Sequence, residues 1–178
     1  MRKKFFAMKR IFMLCAYVCC CIAAFSLVND EATKGSGDVL VAGDMLPLFS
    51  AVTDDGQKVT TANLSGRPCV IVFFNTGCGD CRRELPAVQK VYDEFKDRVN
   101  FVCIGREEPY ESVLSFWKFM GLTMPVSPQP DRTIYNLFAQ RGIPRTYVCN
   151  EEGRIVHTFN QNVNRRKLRK CLMRLLGL

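Results

Sequence analysis

The sequence predicts an α/β domain with a central mixed β-sheet flanked by helices, and three observations carry that expectation. Residues 70–74 form an uncharged run of β-branched and aromatic side chains, the composition of a strand buried on both faces. Leu85, Val88, Val91, Tyr92 and Phe95 then recur at helical spacing with charges between them. Strand-like and helix-like stretches alternate from there and give way to a terminal hairpin and a last helix. Strand 70–74 should be central, with its parallel crossovers right-handed.

The start of the chain carries a different signal. Arg2, Lys3, Lys4, Lys9 and Arg10 precede residues 11–28, which hold no charge. A cationic start before an uncharged apolar run is a targeting pattern. Residues 1–28 therefore read as a signal peptide or an N-terminal membrane anchor, and the cations hold that end in the cytoplasm while the rest crosses. Ala24-Phe25-Ser26 is the nearest small-x-small cleavage match, and Cys21 departs from the usual lipidation pattern. Residues 29–38 are polar, contain Gly35-Ser36-Gly37, and read as a linker. The folded domain is expected over 39–178.

Within it, 46–52 and 57–60 flank the turn signal Asp54-Asp55-Gly56 and read as a hairpin. Residues 63–67 should turn the chain into the central strand. Pro86 predicts a kink in the helix that follows. Residues 99–105 read as a strand. A helix over 110–120 buries Val113, Leu114, Phe116, Trp117 and Met120, which makes Trp117 a core residue. Pro125, Pro128 and Pro130 enforce an extended connection. Asp131 is placed to cap a helix through Ala139. Strands at 146–149 and 154–159 turn about Glu151-Glu152-Gly153, and the last helix covers about 164–176.

The formal charge of +8 points first to nucleic acid, but without the five N-terminal cations it falls to +3. Most of the remaining excess sits in Arg165, Arg166, Lys167, Arg169, Lys170 and Arg174, a solvated face of the last helix. No nucleic-acid partner is expected. Of the ten cysteines, four lie in the N-terminal apolar run. Cys69, Cys103 and Cys149 lie on or beside predicted strands and Cys171 on the last helix, where a free cysteine packs as a small hydrophobe. A further disulfide among them is compatible with the sequence, although spacing alone does not pair them.

Cys78 and Cys81 are different. They follow the central strand across Asn75-Thr76-Gly77 and open a helix, the arrangement of a redox Cys-X-X-Cys. The first helical turn carries unpartnered N–H groups and partial positive charge, which stabilise a thiolate. Cys78, at the helix mouth, should attack. Cys81, one turn deeper on the same face, should resolve. A structural disulfide or half of a zinc site are the competing readings, but no second ligand pair stands at zinc spacing. His157, the only histidine, reads as structural.

The chain at this point resembles the thioredoxin superfamily, and more closely its exported TlpA/ResA-like branch. The features that carry the resemblance are Gly43-Asp44 with Phe49, Asp55-Gly56, Leu64-Ser65-Gly66, the run from Phe73 to Cys81, Glu84-Leu85-Pro86 and Gly142-Ile143-Pro144. The resemblance implies a thioredoxin fold with an N-terminal β-hairpin extension and an inserted helix. It also implies a cis Ile143–Pro144 bond facing the cysteines, in a loop that grips extended substrate backbone. Gly77, Ile143, Pro144 and Arg145 are accordingly candidate substrate-binding residues. Gly77 stands where the family usually has Trp, and Arg145 where Thr is common. Glu84 matches a glutamate associated with proton transfer, a third catalytic candidate that could accept the Cys81 proton. The competing reading is a surface glutamate paired with an Arg.

The leading function is thus thiol–disulfide oxidoreduction, as a reductase of disulfides in exported proteins. It needs no cofactor and no metal. It does need an upstream membrane or thioredoxin-like electron donor, and it meets the membrane through the N-terminal segment, on the periplasmic side of the envelope. A peroxiredoxin needs Pro-x-x-x-Thr/Ser-x-x-Cys, but Ile71 and Asn75 occupy the key positions before Cys78. A Sco-like copper chaperone would need one more residue between the cysteines.

Overall fold

The structure, a computed structural model, describes residues 37–178. The expected signal peptide or anchor at 1–28, and all but the end of the linker at 29–38, lie outside the described residues. Among the described residues no helix is long and apolar enough to cross a membrane.

Strands β1 (Ser50–Val52) and β2 (Lys58–Thr60) pair antiparallel as a separate two-stranded sheet. A short helix α1 (Thr61–Leu64) follows where only a turn is expected. Its signal is a capping box: Thr60 Oγ accepts the Asn63 N–H and Asn63 Oδ1 accepts the Thr60 N–H. One turn is too short to show helical periodicity.

The main sheet holds β3 (Cys69–Phe74), β4 (Asn100–Gly105), β5 (Val126–Ser127), β6 (Arg145–Cys149) and β7 (Ile155–Asn160), in the order β5-β4-β3-β6-β7. β3–β4 and β4–β5 are parallel, whereas β6 runs antiparallel to both β3 and β7. Helices α2 (Gly79–Phe95), α3 (Tyr110–Met120), α4 (Thr133–Phe138) and α5 (Arg165–Leu175) complete the domain. α3 and β5 intervene between β4 and α4, and fit the inserted helix.

β3 is central, and all six of its residues are buried. Its two-residue period divides them. Val70, Val72 and Phe74 join one core with Leu85, Val88 and Val91 of α2, Trp117 of α3, and Leu168 and Leu172 of α5. Cys69, Ile71 and Phe73 join a second core with Leu46, Phe49, Tyr135 and Phe138. Each large apolar side chain so buried contributes about 1.5–3 kcal/mol, which fixes β3 and the loop that leaves it. Trp117 is a core residue as expected, and its indole N–H donates to the Met124 carbonyl at 2.9 Å.

Two expectations need correction. Asp38, assigned to the linker, belongs to the domain: it bridges to Ala139, and its carboxylate pairs with Arg145. Asp131 does not occupy the cap position of α4. Arg132 does, and Asp131 Oδ1 accepts the Thr133 N–H from one residue further out. Pro86 lies inside α2, as its eighth residue. On α5 the cations form an exposed face, with Arg169 reaching Glu94 at 2.6 Å.

Candidate active site

The loop leaving β3 is held before it reaches the first cysteine. Asn75 Oδ1 accepts the Gly77 N–H at 2.9 Å, and the Asn75 carbonyl accepts the Cys78 N–H at 3.1 Å. The Asn75 amide donates to the Arg106 carbonyl at the end of β4 at 3.1 Å. The Thr76 N–H donates to both Glu108 carboxylate oxygens, at 2.8 and 2.9 Å, and the Thr76 hydroxyl donates to the same group. Glu108 is buried, and these charge-assisted bonds anchor the segment two residues before Cys78. Sequence reading missed Glu108, because it lies 32 residues from Thr76 and carries no motif.

Cys78 is the N-cap of α2, and its sulfur accepts the Cys81 N–H at 3.3 Å. A cap that is a thiolate gains from the N–H groups and from the helix dipole. Cys78 is half-buried and Cys81 fully buried, and both are free thiols. Burial, and then the hydrogen bond with Cys78, push the Cys81 thiol well above its usual range, and the charge on Glu84 adds to this. The cations nearby are otherwise engaged. Arg83 pairs with Asp80, while Arg82 donates to the Thr76 carbonyl at 2.7 Å with its guanidinium over the Phe116 ring.

Against this helix mouth lies the loop before β6. The Ile143–Pro144 bond is cis. The Cys78 thiol donates to the Ile143 carbonyl at 3.8 Å. Gln161 braces the loop, its side chain donating to the Ile143 carbonyl at 3.2 Å and its backbone to the Pro144 carbonyl at 3.1 Å. Gly77 is exposed and Ile143 half-buried, whereas Pro144 is buried.

Arg145 departs from the expectation of a substrate-facing side chain. It is 2 % exposed. Its guanidinium pairs with Asp38, donates to Asn160 Oδ1 at 2.8 Å, and reaches the Arg141 and Gly142 carbonyls at 2.7–3.1 Å. The side chain thus ties the cis-proline loop to the start of the domain and to β7. A buried cation needs such partners, and Thr would not reach them.

Glu84 is half-buried, one turn beyond Cys81. Its carboxylate accepts the Asn162 and Val163 N–H groups at 2.6 and 3.0 Å, in the connection between β7 and α5. Gln161 and Asn162 both have positive φ there, so Glu84 fixes a turn as well as standing near Cys81. A cavity of about 390 Å³ opens beside it, lined by Asp80, Arg83 and Gln161 among others. Another of about 290 Å³ is lined by Gly142, Pro144 and Asn160. His157 lies apart on β7 with its ring 4.3 Å from that of Phe159. Among the described residues no group of three or more His, Cys, Asp and Glu could hold a metal ion.

The profile of the AhpC/TSA family matches residues 42–158. The chain is 26 % identical over 157 residues to thiol-disulfide oxidoreductase ResA of Bacillus subtilis, covering 88 % of this chain and 86 % of that one. Among solved structures it resembles a candidate protein disulfide isomerase of Bacteroides thetaiotaomicron, with 31 % identity, a TM-score of 0.76, and coverage of 80 % of this chain and 94 % of that one. It also resembles a thiol:disulfide interchange protein of the thioredoxin family from Chlorobium tepidum, with 26 % identity, a TM-score of 0.68, and coverage of 76 % and 97 %.

Proposed function

The chain belongs to the AhpC/TSA family, and from that premise we propose that it reduces disulfides in exported proteins through Cys78 and Cys81. Its fold is that of thioredoxin, and it is a thiol–disulfide oxidoreductase of the TlpA/ResA-like kind. One observation carries the assignment of roles: a half-buried Cys78 caps α2 and accepts the N–H of a fully buried Cys81 at 3.3 Å.

The Cys78 thiolate attacks a substrate disulfide, forming a mixed disulfide and releasing one substrate thiolate, which takes up a proton. Cys81 then loses its proton and attacks Cys78 Sγ. The second substrate thiol leaves, and the Cys78–Cys81 disulfide remains. Two electrons pass to the substrate, and an upstream dithiol donor returns them. Burial keeps Cys81 protonated until resolution. A base is needed there, and Glu84 is the carboxylate placed to serve. The exposed edge at Gly77 and the Ile143 carbonyl are where substrate backbone would lie, and Pro144 shapes that edge from beneath. The 1–28 segment supports export to the periplasmic side, with or without retention at the membrane.

The test compares two reactions of the reduced chain: thiol release from glutathione disulfide and consumption of hydrogen peroxide. Rapid glutathione release with closure of Cys78–Cys81 is the predicted result. Faster peroxide turnover than disulfide exchange would favour a thiol peroxidase. Recovery of the native protein mainly in the cytosol would remove the exported role and leave the chemistry.

A further inference from the structure

We propose that Cys69 and Cys149 close a second disulfide, buried between β3 and β6 and separate from the exchange pair. The two residues are direct partners in the antiparallel register. Residues so paired have Cα atoms about 4.5–5.5 Å apart, inside the window of about 4.4–6.8 Å that a disulfide spans. Their side chains share one face of the sheet, in the core that holds Ile71 and Phe73. Both residues are free thiols here and fully buried.

The other two described cysteines outside the motif do not share this arrangement. Cys103 lies in the opposite core, where its thiol donates to the Met124 sulfur at 3.8 Å. Cys171 is half-buried on α5. Packing as small hydrophobes therefore accounts for these two, but it gives no reason for Cys69 and Cys149 to meet.

The strand from Cys69 to Phe74 alone spans roughly 17 Å, and Cys78 lies past its far end. The exchange pair cannot reach the second pair directly. An external disulfide of the glutathione class would act instead, while the chain folds and before β6 covers β3. One thiolate attacks that disulfide and releases one glutathione. The other displaces the second glutathione, leaving Cys69–Cys149 and two reduced molecules. The closed loop is about 80 residues long, and a long loop is where a cross-link constrains the unfolded chain most. Only the place where the oxidant is met rests on the exported reading.

The experiment refolds the reduced full-length chain in detergent with a mixture of reduced and oxidised glutathione. The refolded protein is then opened in denaturant with iodoacetamide present to block every free thiol, and the chain is digested without reduction for mass spectrometry. The proposal predicts a peptide cross-linked through Cys69 and Cys149. It also predicts that dithiothreitol added to the folded protein opens Cys78–Cys81 at least 100-fold faster than this bond. Full alkylation of Cys69 and Cys149 in the denaturant-opened chain overturns the proposal, whatever the state of Cys78 and Cys81. A Cys69→Val/Cys149→Val variant should show the lower unfolding midpoint of the two oxidised proteins. The cross-linked peptide with Cys78 and Cys81 both alkylated would support the second disulfide and count against the exchange pair.

Discussion

The thiol of Cys78 meets the carbonyl oxygen of Ile143 at 3.8 Å across 65 residues of sequence. That contact joins the mouth of α2 to the cis-proline loop, and each half is secured by its own buried charged group. Glu108 holds the segment before Cys78, and Arg145 holds the loop after Pro144. The cysteines supply the chemistry, and these two residues supply its geometry.

Glu108→Gln should slow exchange and destabilise the domain together. The amide offers one acceptor oxygen and no charge to the two Thr76 donors, and hydrogen bonds to a charged group contribute about 1.5–3 kcal/mol. Urea denaturation should show a loss of that order, with a several-fold lower rate toward glutathione disulfide. An unchanged rate in a destabilised protein would confine Glu108 to stability.

Glu84→Gln should change the pH profile of resolution. The wild-type burial of Cys81 makes its deprotonation the costly event near neutral pH. Without the carboxylate, resolution should rely on hydroxide and rise more steeply from pH 6 to pH 9, a range that brackets thiol titration. Rapid-quench measurement of mixed-disulfide decay reads this directly. A parallel shift in stability with an unaltered profile would leave Glu84 only its bonds to Asn162 and Val163.

Arg145→Met should cost about 3–5 kcal/mol, since it breaks a buried ion pair with the Asp38 carboxylate. The double variant Arg145→Met/Asp38→Asn should recover part of that loss in denaturant titrations. Additive losses in the two single variants would show that the pair is not coupled.

Cys103→Val should flatten the alkaline limb of stability in the fully reduced protein. Burial raises the folded-state thiol above its ordinary value of 9.0. Above that pH the unfolded chain releases a proton that the folded chain keeps, so stability falls as pH rises, at up to about 1.4 kcal/mol per unit for one such group. The variant should lose that share of the slope between pH 9 and 10.5 in thermal melts. An identical slope would show that Cys103 does not titrate in this range.

The legible parts of this protein were those with a local signature. β3, α2 and α3 announce themselves through apolar runs and helical spacing, and α3 falls on Tyr110–Met120 as expected. The cysteine pair is recognisable from its place between a strand and a helix. The supporting contacts were not legible, because they join residues distant in sequence. Glu108 reaches Thr76, Glu84 reaches Asn162, and Asp38 reaches Arg145. None of these follows from spacing. Arg145 differs from its expectation for the same reason: its position borders the proline loop, but its guanidinium is held by Asp38 and Asn160, both distant in sequence. Two-residue β5 and one-turn α1 are simply shorter than the periods that reveal such elements.

The central claim is that Cys78 attacks and Cys81 resolves. Non-reducing electrophoresis of Cys81→Ala and Cys78→Ala variants, produced in the native cell, tests it most directly. The account predicts that Cys81→Ala accumulates mixed disulfides that collapse on reduction, because attack survives and resolution does not, while Cys78→Ala accumulates none. Trapping by Cys78→Ala alone, or by neither variant, would contradict it.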